Sequence, residues 1–246
     1  MNIKLADRVQ QVEEYYFSKK LSEIADMRLR GIDVINLGIG SPDLKPANIV
    51  INQLALQAQE SDLHGYQSYR GIPEYRVAIA DWYKSKFNVE LDAVSQVLPL
   101  IGSKEGIMHI SMTYLQDGDQ VLIPNPGYPT YRSASLLTGA DVMTYNLSGA
   151  QGWQPDFEAL EQQDLSRVKI MWLNYPHMPT GTPADRSVME KLVAFAHRHN
   201  ILLCHDNPYA FILNDHPASL LQIAGALDVT IELNSLSKTY NMAGWR

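Results

Sequence analysis

Lys238 stands in the run Ser235-Leu236-Ser237-Lys238, directly after an apolar segment. Most lysines are solvated surface charges with no chemical task. A lysine amine whose pKa is lowered by its surroundings can instead form a Schiff base with an aldehyde. An aldehyde cofactor that carries a phosphate, pyridoxal 5'-phosphate, asks for three further things. They are a cradle for the phosphate, a carboxylate for the ring nitrogen, and something to hold the ring.

Candidates for all three are present. Gly102, Ser103 and Lys104 open a helical segment, where backbone N–H groups and the helix dipole favour an anion. Ser103 suits an ordinary helix cap equally well. Ser235 and Arg246 add a hydroxyl and a guanidinium fork able to reach the same phosphate. Asp206 closes the apolar run at 201–204, and a carboxylate at a buried strand end needs a positive partner. A protonated pyridine nitrogen is such a partner, and the pair keeps the ring an electron sink. The competing role for Asp206 is to cap the turn at Asn207-Pro208. Tyr209, three residues on, can donate its hydroxyl to the ring's phenolic oxygen. Tyr128 can stack on the ring face or simply pack a loop.

These residues need elements to bring them together. Apolar spacing predicts helices over 7–30 and 47–60, and Pro73 suits the start of another running to about residue 87. From about residue 95 strands and helices alternate. Strands are expected at 96–102, at 119–124, at 141–147, at 167–176, at 200–207 and at 228–235, with helical connections between them. That rhythm predicts an α/β fold, a mostly parallel sheet with helices on both faces. Ligands in such sheets bind beyond the carboxyl ends of the strands. Gly102 to Lys104, Tyr128, Asn174, Asp206, Tyr209, Ser235, Ser237 and Lys238 all lie just past strand ends, so the topology gathers them on one edge.

The 246 residues are 46% hydrophobic and 19% charged, ordinary for a globular chain able to bury a sizeable core. A net charge of −7 argues against a general nucleic-acid binder, which needs a surplus of Lys and Arg. Cys204 is the single cysteine, so no disulfide forms within the chain, and the first twenty residues carry charges throughout. A cytoplasmic protein is expected. His197 and His199 lie two apart, off a common helix face, and read as a solvated helix end rather than a metal site. His205, beside Asp206, suits either a supporting contact or a packed core histidine.

Taken together the motifs resemble those of the class I/II aminotransferases, fold-type I enzymes dependent on pyridoxal phosphate. The resemblance runs from about residue 30 to 246. The family's lysine signature is met by Ser235, Lys238, Gly244 and Arg246 at the expected spacing. Asp206 and Tyr209 match its Asp-x-x-Tyr pair, and residues 101–107 and 124–129 match its phosphate loop and ring-stacking loop. The resemblance implies that Tyr66 reaches the phosphate of a neighbouring subunit, hence a homodimer, and that Gly40 lies beside the substrate carboxylate. It implies a transaminase acting on an amino acid and a 2-oxo acid. It also implies a partial small domain at 1–42 and a cofactor-binding large domain at 43–246. Family members run on past this length, so an antiparallel strand and the rest of the small domain are expected to lie beyond residue 246. A chain without them is expected to be poorly stable and catalytically incomplete. One departure is Met178, where the family usually has an asparagine that hydrogen-bonds the phenolic oxygen; methionine cannot donate that bond. The competing functions are a carbon–sulfur lyase or cyclopropane-forming synthase of the same fold type. A nucleotide- or SAM-binding Rossmann-like domain lacks its G-x-G-x-x-G.

Overall fold

The computed structural model describes residues 3–12, 16–38, 40–183 and 185–245. Among them lies a parallel sheet of five strands in the order β2-β1-β3-β4-β5. The strands are β1 Gln120–Asn125, β2 Asp141–Asn146, β3 Val168–Leu173, β4 Leu202–Asp206 and β5 Thr230–Leu233. The α-helices are α1 Tyr16–Leu29, α2 Asn48–Gln57, α3 Pro73–Phe87, α4 Ser103–Tyr114, α5 Pro129–Leu137, α6 Phe157–Glu161, α7 Arg186–His199, α8 Ala226–Val229 and α9 Leu236–Thr239.

The sheet is covered on both faces because alternate side chains of its strands serve opposite layers. Ile170, Trp172, Cys204 and Leu233 pack with Ile107 of α4 and Tyr131 of α5. Met171, Leu173 and Leu203 point the other way, onto Val188, Leu192 and Phe195 of α7. A third cluster joins Tyr83 and Phe87 of α3 to Ala210, just beyond β4. Local chemistry sets the helix ends. Pro73 opens α3 and Asn88 closes it in the left-handed region. Asp185 caps α7 by accepting from the Ser187 and Val188 N–H groups.

Register then does the positioning. Asn125 pairs with Asn146, Leu173 with His205, and Asp206 with Leu233. The strands therefore end almost level, and the segments that leave their carboxyl ends share one edge.

Two expectations are corrected. Residues 96–102 form no strand, although they are apolar. Pro99 has no N–H to give a ladder, and Leu98 and Ile101 remain largely exposed. The expected helix over 7–30 is divided into a 3-10 turn at Asp7–Gln11 and α1. Residues 13–15 and Arg246, a predicted phosphate ligand, lie outside the described residues. No helix among the described residues is long and apolar enough to cross a membrane.

Candidate active site

Asp206 ends β4 and is buried. Its Oδ2 accepts a hydrogen bond of 2.9 Å from the Tyr131 hydroxyl. Its Oδ1 is buried and accepts none among the described residues. Burial pushes the Asp206 carboxyl up to about 6, against the Tyr131 hydrogen bond and the charge of His205, which pull it down. Burial, and then the Asp206 charge, raise the Tyr131 hydroxyl well above the ordinary tyrosine range. Tyr131 is thus a fixed donor at neutral pH. Its ring is stacked on Trp172, with centroids 5.1 Å apart and planes 4° from parallel. The carboxylate is held on one oxygen and left bare on the other.

Ser103 begins α4, with Gly102 as the N-cap residue and no side-chain cap bond. The capping role that competed for Ser103 is therefore not the one it takes. Its Oγ is buried and makes no hydrogen bond among the described residues. A buried hydroxyl left unsatisfied at a helix N-terminus suits an anion. Ser235 caps α9, its Oγ accepting from the Ser237 N–H at 3.1 Å. That bond uses a lone pair and leaves the hydroxyl proton for another acceptor.

Lys238 lies within α9, half-buried, and its Nζ donates to the Gly40 carbonyl at 3.0 Å. The bond links the segment before α2 to the sheet edge, across nearly the whole sequence. Tyr128 is half-buried at the start of α5, edge-on to Tyr131 with ring centroids 5.5 Å apart. The Lys104 ammonium lies 5.7 Å from the centroid of the Tyr128 ring. Tyr209 is half-buried in the turn after β4. That turn is anchored by Asn207, whose N–H donates to the Leu233 carbonyl and whose amide donates to the Ala218 carbonyl.

Asn174 serves the loop after β3. Its Nδ2 donates to the Asp206 carbonyl at 2.5 Å and its Oδ1 accepts from the Met178 N–H at 2.7 Å. The amide is bound at both ends to backbone, which fixes its orientation and leaves its second N–H to donate. Tyr66 is fully exposed, so it stands apart from the cluster of its own chain.

The arrangement fits pyridoxal phosphate on its own terms. Asp206 Oδ1 is a buried acceptor without a donor, as a pyridinium N–H requires. Ser103 Oγ is a buried donor at a helix N-terminus, as a phosphate requires. Lys238 carries a primary amine on the same edge. Away from this edge His199 is tied to Glu161 at 2.7 Å and His197 to the Gly225 carbonyl at 3.0 Å. Among the described residues no group of three or more His, Cys, Asp or Glu is placed to hold a metal ion.

Two supporting residues escaped the sequence reading. Tyr131 sits one helical turn after Tyr128, on the inward face of α5, and its signal was that spacing. Glu232 is an acidic residue inside the apolar run of β5, and that contrast was its signal.

Comparison with known proteins identifies the family. The family model for aminotransferases of class I and II matches residues 32–246. An LL-diaminopimelate aminotransferase of Dehalococcoides mccartyi is 43% identical over 246 residues, covering 99% of this chain and 63% of that protein. The solved structure of BacF from Bacillus subtilis superposes with a TM-score of 0.94 at 38% identity, covering 100% of this chain and 63% of that one. An aminotransferase from Staphylococcus aureus superposes at 0.88 with 28% identity, over 98% of this chain and 62% of that one. The chain thus spans a little under two thirds of the length of the relatives it matches.

Proposed function

The chain belongs to the class I and II aminotransferases, and from that premise we propose that it serves a pyridoxal-phosphate-dependent transaminase. That enzyme moves an amino group between an amino acid and a 2-oxo acid. The observation that carries the proposal is the half-satisfied Asp206, bare at Oδ1 and held at Oδ2 by Tyr131, on the same edge as Lys238.

When bound, pyridoxal phosphate supplies an aldehyde for the amino group and an electron sink for the carbanion. The chain's own residues do the rest. Asp206 keeps the ring nitrogen protonated, and Tyr131 keeps Asp206 in place. Ser103 and the N-terminus of α4 hold the phosphate, with Ser235 and Arg246 as further ligands. Tyr128 would flank the ring, and Tyr209 would donate to its phenolic oxygen. Lys238 would hold the cofactor covalently, and its free amine would take the proton from the substrate α-carbon. The bond from the Lys238 amine to the Gly40 carbonyl, 3.0 Å long, supports a substrate carboxylate seated beside Gly40.

Sequence identity of about two fifths over the whole chain supports LL-diaminopimelate as the amino donor. Tyr66, exposed on its own chain, supports a homodimer in which it serves the partner's phosphate. The test is to replace Lys238 by alanine. Borohydride should fix the cofactor to the unmodified chain and not to the variant, and transamination should cease. Turnover at an unchanged rate in the variant overturns the proposal. Product formed over many turnovers without an acceptor 2-oxo acid would indicate a lyase instead.

A further inference from the structure

His205 precedes Asp206 on β4 and faces the opposite layer. Its side chain is fully buried, as is that of Glu232, its cross-strand neighbour on β5. The His205 Nδ1 lies 2.8 Å from Glu232 Oε2, and its Nε2 lies 3.0 Å from the Tyr175 carbonyl oxygen. A carbonyl oxygen can only accept, so Nε2 must carry a proton.

Glu232 determines the state of Nδ1. The Tyr83 hydroxyl donates to Glu232 Oε1 at 3.0 Å, and the Leu220 N–H donates to Oε2 at 3.0 Å. The Ser219 hydroxyl lies 2.9 and 3.0 Å from the two oxygens. Donors from α3 and from the turn before β5 thus converge on both oxygens. That is the surrounding of an ionised carboxylate, which accepts and does not donate. Nδ1 must then carry a proton as well. Both ring nitrogens donate, and the ring is an imidazolium.

We infer that His205 is a resident imidazolium whose fixed charge, one residue along β4, positions Asp206 in its ionised form. This rests on the function proposed above in one respect, the assignment of Asp206 to the ring nitrogen. The titratable side chains hydrogen-bonded to His205, to Asp206 or to Glu232 among the described residues are Glu232 on β5, Tyr131 on α5 and Tyr83 on α3. None of these three is a cation, and His205 brings a positive charge to the buried strand end. Glu232 neutralises it from the far side and keeps it protonated. Sequence alone shows none of this, because His205 and Glu232 are joined across two strands.

Nitrogen-15 NMR of the full cofactor-free chain counts the protons directly. His205, assigned by its loss in His205→Gln, should show an N–H on both ring nitrogens at neutral pH. A single ring N–H there overturns the inference, whatever the variants do. Carbon-13 NMR of the Asp206 carboxyl, assigned through Asp206→Asn, then reads the effect. In His205→Gln the titration of Asp206 should move up by about one unit, the scale of a single charge at this range in a protein interior. Glu232→Gln should remove the second ring proton and move Asp206 in the same direction, so either variant serves if the other fails to fold. An unmoved Asp206 would leave His205 a purely structural residue and overturn its positioning role. None of these readouts requires turnover. If pyridoxal phosphate fails to bind, the transaminase proposal falls while the proton count and the titration still decide this one.

Discussion

At the scale of single residues, the unusual group is a carboxylate buried beyond its local needs. Asp206 is pushed up to about 6 by burial, although Tyr131 and His205 both favour its charge. A carboxyl raised in the folded state binds more protons there than when unfolded, so stability is lost as pH rises from about 4 through about 6. Above that range the ionised side chain costs about 3 kcal/mol of folding free energy. The fold is therefore strained at this residue for the sake of a cationic partner. Asp206→Asn should make the cofactor-free chain more stable at neutral pH by ~2–3 kcal/mol, with little effect near pH 4. Denaturant melts across that range check it. A penalty that is the same at all pH values would mean that the carboxylate is already satisfied. The sequence made Asp206 legible, since an acidic residue ending an apolar run is conspicuous. Its partner Tyr131 was not, because a buried aromatic on a helix looks like core whether or not its hydroxyl is used.

At the scale of elements, the turn between β1 and α5 carries Tyr128 and Tyr131 together. Gly127 lets that turn pass close to the strand it leaves. A methyl group at Gly127 would clash with the Pro124 carbonyl oxygen, which is backbone and cannot step aside. Gly127→Ala should therefore cost about 1–3 kcal/mol, in the range of overpacking, and should weaken cofactor binding more than a distant change of equal cost. Melts and a cofactor titration compared with Gly118→Ala would show this, since that distant site has nothing within 4 Å but a φ of +88° that strains any side chain. Equal affinity in the two variants would mean that the turn does not position the ring. Most elements were legible, because β1, β3 and β4 are short apolar runs separated by capped helices. The stretch at 96–102 was read as a strand on the same evidence and is not one. Apolar composition gives a strand its content, but a ladder needs a neighbour, and neighbours are not written locally. For the same reason the pairing of His205 with Glu232 was invisible before the register of β4 and β5 was known.

At the scale of the whole molecule, one residue expected to be a ligand stands apart from the cluster of its own chain. Tyr66 and Tyr69 are fully exposed, and the apolar Ile49, Leu54 and Leu56 of α2 are more than half exposed. Large apolar side chains shown this way along one region suit a covered surface, and a symmetric partner is the cover we propose. In a symmetric pair, a residue that serves the partner's site can be supplied by a chain whose own site is disabled. Mixing Tyr66→Ala with Lys238→Ala chains tests this. The first alone should hold cofactor weakly, and the second alone should never be fixed to it by borohydride. In a mixed dimer, the Tyr66→Ala chain keeps its Lys238 and receives an intact Tyr66 from its partner. Half the dimers in an equal mixture are mixed and each has one complete site, so trapping should recover to about a quarter of the unmodified level. Intact mass identifies the fixed chain, which should be the Tyr66→Ala one. No recovery in mixtures shown to exchange subunits would place Tyr66 outside the partner's site, leaving its exposure to another cause.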